Sequence, residues 1–226
     1  MDPCVLSAHE RDPGALLTAI HQVLNAFFGD LGWWPADSPF EVIVGAILTQ
    51  NTAWRNVERA IAVLKREGVL SPEQLLALSE DRLADWIRPA GYYRVKARRL
   101  KAFIRFLYER YEGSLAEMFL EPTACLRERL LAVKGVGPET ADSILLYAGR
   151  RPVFVVDAYT KRILVRHRII GDHAEYEAIQ RLFMSHLPED ARLFNQYHAL
   201  LVQTGKTFCR PRARCDGCPL KTIAPS

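Results

Sequence analysis

No apolar run in the 226 residues approaches the ~20 that a bilayer span needs, so a membrane-spanning helix is not expected. The opening residues, Met-Asp-Pro-Cys-Val-Leu-Ser-Ala-His-Glu, lack both a basic stretch and an apolar one, so a secretory signal is not expected either. A cytoplasmic protein follows by default. Also missing are low-complexity tracts, a repeat period, a Pro/Gly/Ser linker and any convincing alternation of apolar and polar residues, which removes solenoids and sheet proteins. Cysteine is scarce but uneven: of five, three fall in the last eighteen residues. Clustering of that kind does not resemble a secreted disulfide framework and more often binds metal in a reducing compartment.

What is present is helical spacing nearly everywhere. The pattern predicts helices over Gly14–Phe28, Pro39–Thr49, Ala53–Glu67, Pro72–Leu78, Asp81–Ile87, Arg94–Tyr111, Ser114–Phe119, Pro122–Val133, Pro138–Ala148, Ala158–Arg168, Ala174–His186 and Arg192–Thr204. Ser38, Ser71 and Asp157 stand as caps before three of them, and Pro138 opens another. Val153–Val156 is too short and unpartnered for a strand and reads as a buried connector. The fold class is all-α, and the 49% hydrophobic content suits one globular unit or two small lobes.

The most informative stretch is residues 131–163. Gly135 and Gly137 bracket Val136 between two amphipathic segments, and Pro138 sits where a helix accepts proline as its first residue. Such a helix–turn–helix offers free backbone amides beside a turn with little side chain, which suits phosphate oxygens regardless of base. Twenty residues past Gly137, Asp157 places one carboxylate at a helix start. The net charge of +4 is modest, but Arg150–Arg168 holds six Lys/Arg against Asp157 alone, and Lys206–Lys221 holds five against Asp216. Two basic segments around one carboxylate favour a polyanion partner, although solvated helix faces would look the same.

A phosphate-gripping hairpin of Lys134, Gly135, Val136 and Gly137 followed by one positioned Asp resembles the helix-hairpin-helix (HhH-GPD) DNA glycosylases, the superfamily that includes endonuclease III. The resemblance covers about residues 30–220. It implies a two-lobed fold: a six-helix barrel over 37–150, a second lobe combining 1–36 with 151–226, and a substrate cleft between them. It also implies that Asp157 stabilises the oxocarbenium-like sugar and accepts a proton from the attacking water. Plain helix capping by Asp157 is compatible with that role. Glu139 departs from endonuclease III, where a Lys at this position forms a Schiff base with the sugar. A carboxylate cannot form that imine, so a monofunctional glycosylase is implied. Glu139 would then line the pocket or merely complement the helix dipole. Lys134 and Lys161 are the nearest stand-in amines.

The segment Trp33-Trp34-Pro35, followed by Leu-Thr-Gln-Asn-Thr and Trp54, resembles the bacterial 3-methyladenine branch more specifically. There aromatic side chains sandwich an alkylated base, and Trp33, Trp34, Pro35 and Trp54 are the base-pocket candidates; core packing is the alternative. A cationic, N-alkylated purine is drawn to a π-face more than a neutral base is. Gln50 resembles the residue that enters the duplex opposite the extruded nucleotide, and Tyr92 occupies the position of a wedge in the base stack. Arg94, Lys96, Arg98 and Arg99 would contact phosphates or face solvent.

Family members commonly bind a [4Fe–4S] cluster through C-x6-C-x2-C-x5-C near the C-terminus. Here Cys209, Cys215 and Cys218 give C-x5-C-x2-C, and Ala224 stands where the fourth Cys should be. Cys4 is a candidate replacement; zinc, or no metal, is the alternative. Cys125 reads as a core residue, and the six scattered His are given no role. The expected protein is a monomeric base-excision-repair DNA N-glycosylase, nucleoid-associated and bacterial in type, acting on double-stranded DNA with damaged bases, alkylated purines such as 3-methyladenine above all. The rivals are an endonuclease III-like enzyme for oxidised pyrimidines, a non-catalytic DNA-binding protein and a redox-sensing iron–sulfur protein.

Overall fold

The computed structural model describes residues 12–223, so Cys4 and Ala224 lie outside the described residues. Among the described residues there is no strand, and no helix is long and apolar enough to cross a membrane. The chain forms two compact units, Trp34–Arg151 and a discontinuous one in which Pro152–Ser226 joins Met1–Trp33.

In the unit Trp34–Arg151 the helices are α2 (Pro39–Leu48), α3 (Trp54–Arg66), α4 (Pro72–Ala77), α5 (Glu80–Trp86), α6 (Tyr93–Tyr111), α7 (Leu115–Met118), α8 (Thr123–Ala132) and α9 (Pro138–Ser143). The centre is α2, whose residues Phe40–Leu48 are all buried, as its apolar sequence on every face requires. Ser38 caps it through the Glu41 amide, and the only acid in this helix, Glu41, is answered by Lys65 at 2.7 Å and by the Asp37 amide at 3.0 Å. Gly45 lets indoles lie against this helix: a Cβ there would stand 3.3 Å from Trp34 and 3.4 Å from Trp54. The single helix expected over 138–148 is α only to Ser143. It continues as a π-turn, Ile144–Ala148, whose residues are all buried. That widening is a tertiary effect that apolar spacing does not encode.

In the discontinuous unit α1 (Pro13–Phe28) packs with α11 (Tyr176–His186) and α12 (Ala191–Thr207), and α10 (Ala158–Arg166) packs on α12. The connector Val153–Val156 is buried without a sheet partner. Side chains satisfy its backbone instead: Gln180 Nε2 donates to the Phe154 carbonyl at 2.7 Å, and the Val156 amide donates to the Tyr176 hydroxyl at 3.3 Å. Phe154 stacks on Phe183 with centroids 3.8 Å apart, and Tyr197 donates to the Leu17 carbonyl, tying α12 to α1. Gly205 lets α10 and α12 approach so closely that a Cβ would lie 2.3 Å from the Tyr159 ring.

Candidate functional site

In the unit Trp34–Arg151 three irregular segments are braced together. The hairpin between α8 and α9 turns at Gly135, with φ of +90°, and closes with the Val136 amide donating to the Val133 carbonyl at 3.0 Å. Val136 is buried as its anchor, while Lys134 and Gly137 are exposed. Only Gly135 needs to be glycine for conformation: a Cβ there would also meet Arg99 Cγ at 2.4 Å. Gly137 has φ of −97°, and a Cβ there would find nothing within 4 Å. Its value is the open approach to the amides that start α9.

Gln50, at the end of α2, spans to this hairpin. Its amide nitrogen donates to the Gly135 carbonyl at 3.0 Å and to Thr140 Oγ1 at 2.9 Å, and its oxygen accepts from Arg99. A side chain expected to reach into a duplex is thus fully engaged within its own unit. Entering DNA would mean exchanging those bonds.

Lys96 is another departure. Rather than facing phosphate or solvent, it is 1% exposed and donates to the Leu48 carbonyl at 2.8 Å, Thr52 Oγ1 at 2.5 Å and the Ala90 carbonyl at 2.7 Å. Burial, with Arg99 nearby, pushes its ammonium down to about 8. It clamps the Gln50 loop to the turn carrying Tyr92, which is 72% exposed in the left-handed region at φ of +44°. A tyrosine held there is strained by about 1–3 kcal/mol, a cost structures tend to carry where a side chain must be aimed.

Trp34 and Trp54 do not form a flat slot. Their rings meet edge to face, 4.8 Å between centroids and 84° between planes, while Tyr147 from the π-turn lies 5.0 Å from Trp34 at 37°. No base fits between two perpendicular rings in contact, so any stacking uses the outer face of this cluster. Pro35 is exposed beside it. Trp33 belongs to the other unit, with Lys206 Nζ 5.4 Å from its ring centroid.

In the discontinuous unit Asp157 caps α10, its Oδ1 accepting from the Thr160 amide at 2.7 Å. Oδ2 stands 3.7 Å from His198 Nε2, too far for a direct hydrogen bond. His198 is held below the usual imidazole range by burial, against the opposing pull of Asp157 and with Lys206 adding to the lowering. The carboxylate therefore faces a neutral imidazole on one side and the N-terminal amides of α10 on the other.

The C-terminal cysteines are gathered by α10. Arg162 donates to the Cys209 carbonyl at 2.6 Å, and Arg166 donates to Cys209 Sγ at 3.3 Å and to the Arg210 and Pro211 carbonyls at 2.6 and 2.8 Å. Cys209, Cys215 and Cys218 line one cavity of about 140 Å³ together with His167, Arg166 and Arg214. Burial pushes the Cys218 thiol up, and Cys215 and Cys209 push it the same way, partly offset by a bond from the Leu220 backbone. Among the described residues no three His, Cys, Asp or Glu side chains are grouped to hold a single metal ion. Cys125 is exposed, not a core residue, because its side of α8 faces solvent.

Comparison with known proteins decides the family. The model of the HhH-GPD superfamily base excision DNA repair proteins matches residues 44–189. The chain belongs to that superfamily. A Methanocaldococcus jannaschii protein named as a DNA repair glycosylase, MJ1434, is 49% identical over 208 residues, covering 91% of this chain and 94% of its own. Endonuclease III of Thermotoga maritima is 31% identical, covering 81% of each chain. Among solved structures, the H. pylori 3-methyladenine DNA glycosylase bound to 1,N6-ethenoadenine superposes with a TM-score of 0.75 at 27% identity, covering 87% of this chain and 98% of that one. A trapped endonuclease III–DNA intermediate matches with a TM-score of 0.80 at 21% identity, a likeness of fold, covering 93% of this chain and 95% of that one.

Within this HhH-GPD DNA glycosylase, sequence reasoning missed five residues: Lys96 and Arg99 as braces, Tyr147 in the aromatic cluster, His198 beside Asp157, and His167 on the cysteine cavity. His167 and His198 carry no local signal, because each meets its neighbours from another part of the chain. Lys96 had one, shared with Lys101: a Lys among apolar positions on the inner face of α6.

Proposed function

We propose that this glycosylase releases alkylated purines such as 3-methyladenine from duplex DNA by hydrolysis. The aromatic cluster of Trp34, Trp54 and Tyr147 seated against Gly45 carries the reading. A cationic purine gains from an aromatic face what a neutral, non-planar pyrimidine lesion does not. The H. pylori relative, named for 3-methyladenine and holding an alkylated adenine, supports the same preference. Gly137 and the amides opening α9 would take a phosphate, Lys134 would add charge, and Tyr92 would wedge the stack. Asp157 would stabilise the sugar cation and take the water proton, with the base leaving readily because it is already charged. Glu139 supplies no amine. Lys161 is engaged, its ammonium donating to the Ala174 carbonyl at 2.8 Å. A monofunctional reaction that leaves an abasic site fits both facts. DNA with a damaged base is the partner, and the chain would act as a monomer.

The three cavity thiols suit a cluster better than one zinc ion. They share a cavity, yet are not grouped closely enough for a single metal. Cys209, Cys215 and Cys218 would hold an iron–sulfur cluster that cross-links the C-terminal loop, and Arg166 and Arg214 would offset the charge of the thiolates.

The T. maritima relative favours a second reading, an endonuclease III-like enzyme for oxidised pyrimidines. Single-turnover base release from duplexes carrying 3-methyladenine or thymine glycol separates the two. Release of 3-methyladenine, with strand breaks only after alkali, is expected. Efficient release of thymine glycol with 3-methyladenine untouched would replace the first reading by the second.

A further inference from the structure

The sequence leaves a three-thiol site with alanine at the fourth position, and the structure places an unused ligand beside it. His167 follows the last residue of α10, one turn beyond Ile163, and both side chains line the cavity that holds Cys209, Cys215 and Cys218. Its Nδ1 is a buried atom with no hydrogen-bond partner among the described residues. A buried polar atom without a partner is uncommon in a folded protein and asks for an explanation. Apart from the three cysteines, every other described side chain on that cavity is apolar, a hydroxyl or a cation, so His167 is the one nitrogen donor there able to give a lone pair to iron.

We propose that His167 is the fourth protein ligand of an iron–sulfur cluster held by Cys209, Cys215 and Cys218. The inference rests on the cluster reading above and is independent of which base the enzyme releases. Ligation is balanced simply. Each thiol gives up its proton on forming a sulfur–iron bond, whereas the neutral imidazole donates the Nδ1 pair and keeps its proton on Nε2. Arg166 donates to Cys209 Sγ at 3.3 Å, so that sulfur is already positioned by a side chain of α10. The cavity of about 140 Å³ is comparable to an engineered cavity of ~150 Å³ that admits benzene, so it holds a group larger than an ion. Replacing a thiolate by imidazole removes one negative charge from the ligand set, the direction in which imidazole ligation raises a cluster's potential.

Full-length protein reconstituted anaerobically with iron and sulfide provides the test, read by iron analysis and, after one-electron reduction with dithionite to the paramagnetic state, by nitrogen hyperfine coupling in pulsed electron paramagnetic resonance. Wild type should hold about four irons per chain with a histidine nitrogen coupled to the cluster. His167→Ala should fall to about three irons and lose that coupling, while His167→Cys should restore about four without it. Cys4→Ala should change neither readout. Thermal melting of each metal-free variant shows whether it folds, and His167→Cys keeps the question answerable if His167→Ala does not. Four irons retained in His167→Ala, or iron lost in Cys4→Ala with no nitrogen coupling in wild type, would overturn the assignment and give the position to Cys4 or solvent. Wild-type protein that takes up no iron, or only zinc, would overturn it together with the cluster reading, leaving the base-release result untouched.

Discussion

The Gln50 loop and the Cys209 loop are both short irregular segments held by long side chains, and they end in opposite states. Around Gln50 the amide oxygen, the amide nitrogen and the Lys96 ammonium are all taken up by the protein itself. Around Cys209 the arginines bind backbone carbonyls and the Cys209 sulfur, while three cysteines and His167 line a cavity and the buried His167 Nδ1 has no hydrogen-bond partner among the described residues. The first is a platform complete in itself, where preorganised hydrogen bonds hold Gly135 and Tyr92 in conformations they would not keep alone. The second leaves a cavity of about 140 Å³ beside its cysteines. On the proposed function the unit Trp34–Arg151 would grip DNA, whereas the discontinuous unit would carry the groups that react or ligate. Perturbations should separate affinity from rate along that line.

The largest effect should come from Asp157→Asn. The amide keeps an oxygen for the Thr160 amide but loses the negative charge, so the cap survives while stabilisation of the sugar cation does not. Base release under single-turnover conditions should fall by about 10²–10⁴-fold, the range for a positioned acid–base group. Affinity for lesion-free duplex should stay near wild type. A mutant that releases base at close to the original rate would remove Asp157 from the chemistry and break the division of labour.

Next come the hairpin glycines, which sharpen the same contrast. Gly135→Ala forces a Cβ into Arg99 at a φ of +90°, so it should lower thermal stability by about 1–3 kcal/mol and weaken DNA binding whatever the lesion. Gly137→Ala meets nothing and has an ordinary φ, so melting should be unchanged. Only binding should suffer, because the methyl group stands on the approach to the α9 amides. If Gly137→Ala binds unmodified duplex as tightly as wild type, those amides are not the phosphate site.

These glycines also show what the sequence discloses. Gly-Val-Gly-Pro announces a turn before a helix, and Asp157 before Ala158 announces a cap, because both depend on neighbours in the chain. Which glycine carries the strain depends on Arg99, 36 positions earlier, and that requires the fold. The same limit hid the engagement of Gln50 by the hairpin and the edge-to-face packing of Trp34 on Trp54. Helix ends moved by one or two residues at most starts and stops, as fraying and local capping allow.

Lys96→Met tests the brace itself. The side chain is buried with a proton affinity of about 8 in the folded protein against 10.5 when free. Between those pH values the unfolded chain binds more protons than the folded one, so this group makes stability rise with pH, and its burden is fully present below about pH 8. Methionine removes that slope but leaves the Leu48 carbonyl without its donor, at about 1–3 kcal/mol, while the Ala90 carbonyl still accepts from Thr52 Oγ1 at 2.6 Å. Denaturant melts should show wild-type stability gaining on Lys96→Met as pH rises from 8 to 10.5. An unchanging difference would mean that the ammonium keeps an ordinary affinity through its three acceptors.

The smallest expected effect belongs to Glu139→Gln and probes the boundary between platform and chemistry. Glu139 is exposed in the first turn of α9, where a negative charge meets the positive end of the helix. Losing that charge should cost about 0.3–1 kcal/mol at low salt, which for a chain of this size lowers the melting temperature by about 1–4 °C, and the loss should shrink as salt screens it. If Glu139 acts only through the dipole, base release is unchanged, and duplex affinity improves slightly because one negative charge has left the end proposed to take a phosphate. A fall in base release at constant affinity would instead put this carboxylate among the reacting groups, and the unit Trp34–Arg151 would then contribute to the chemistry as well as to the grip.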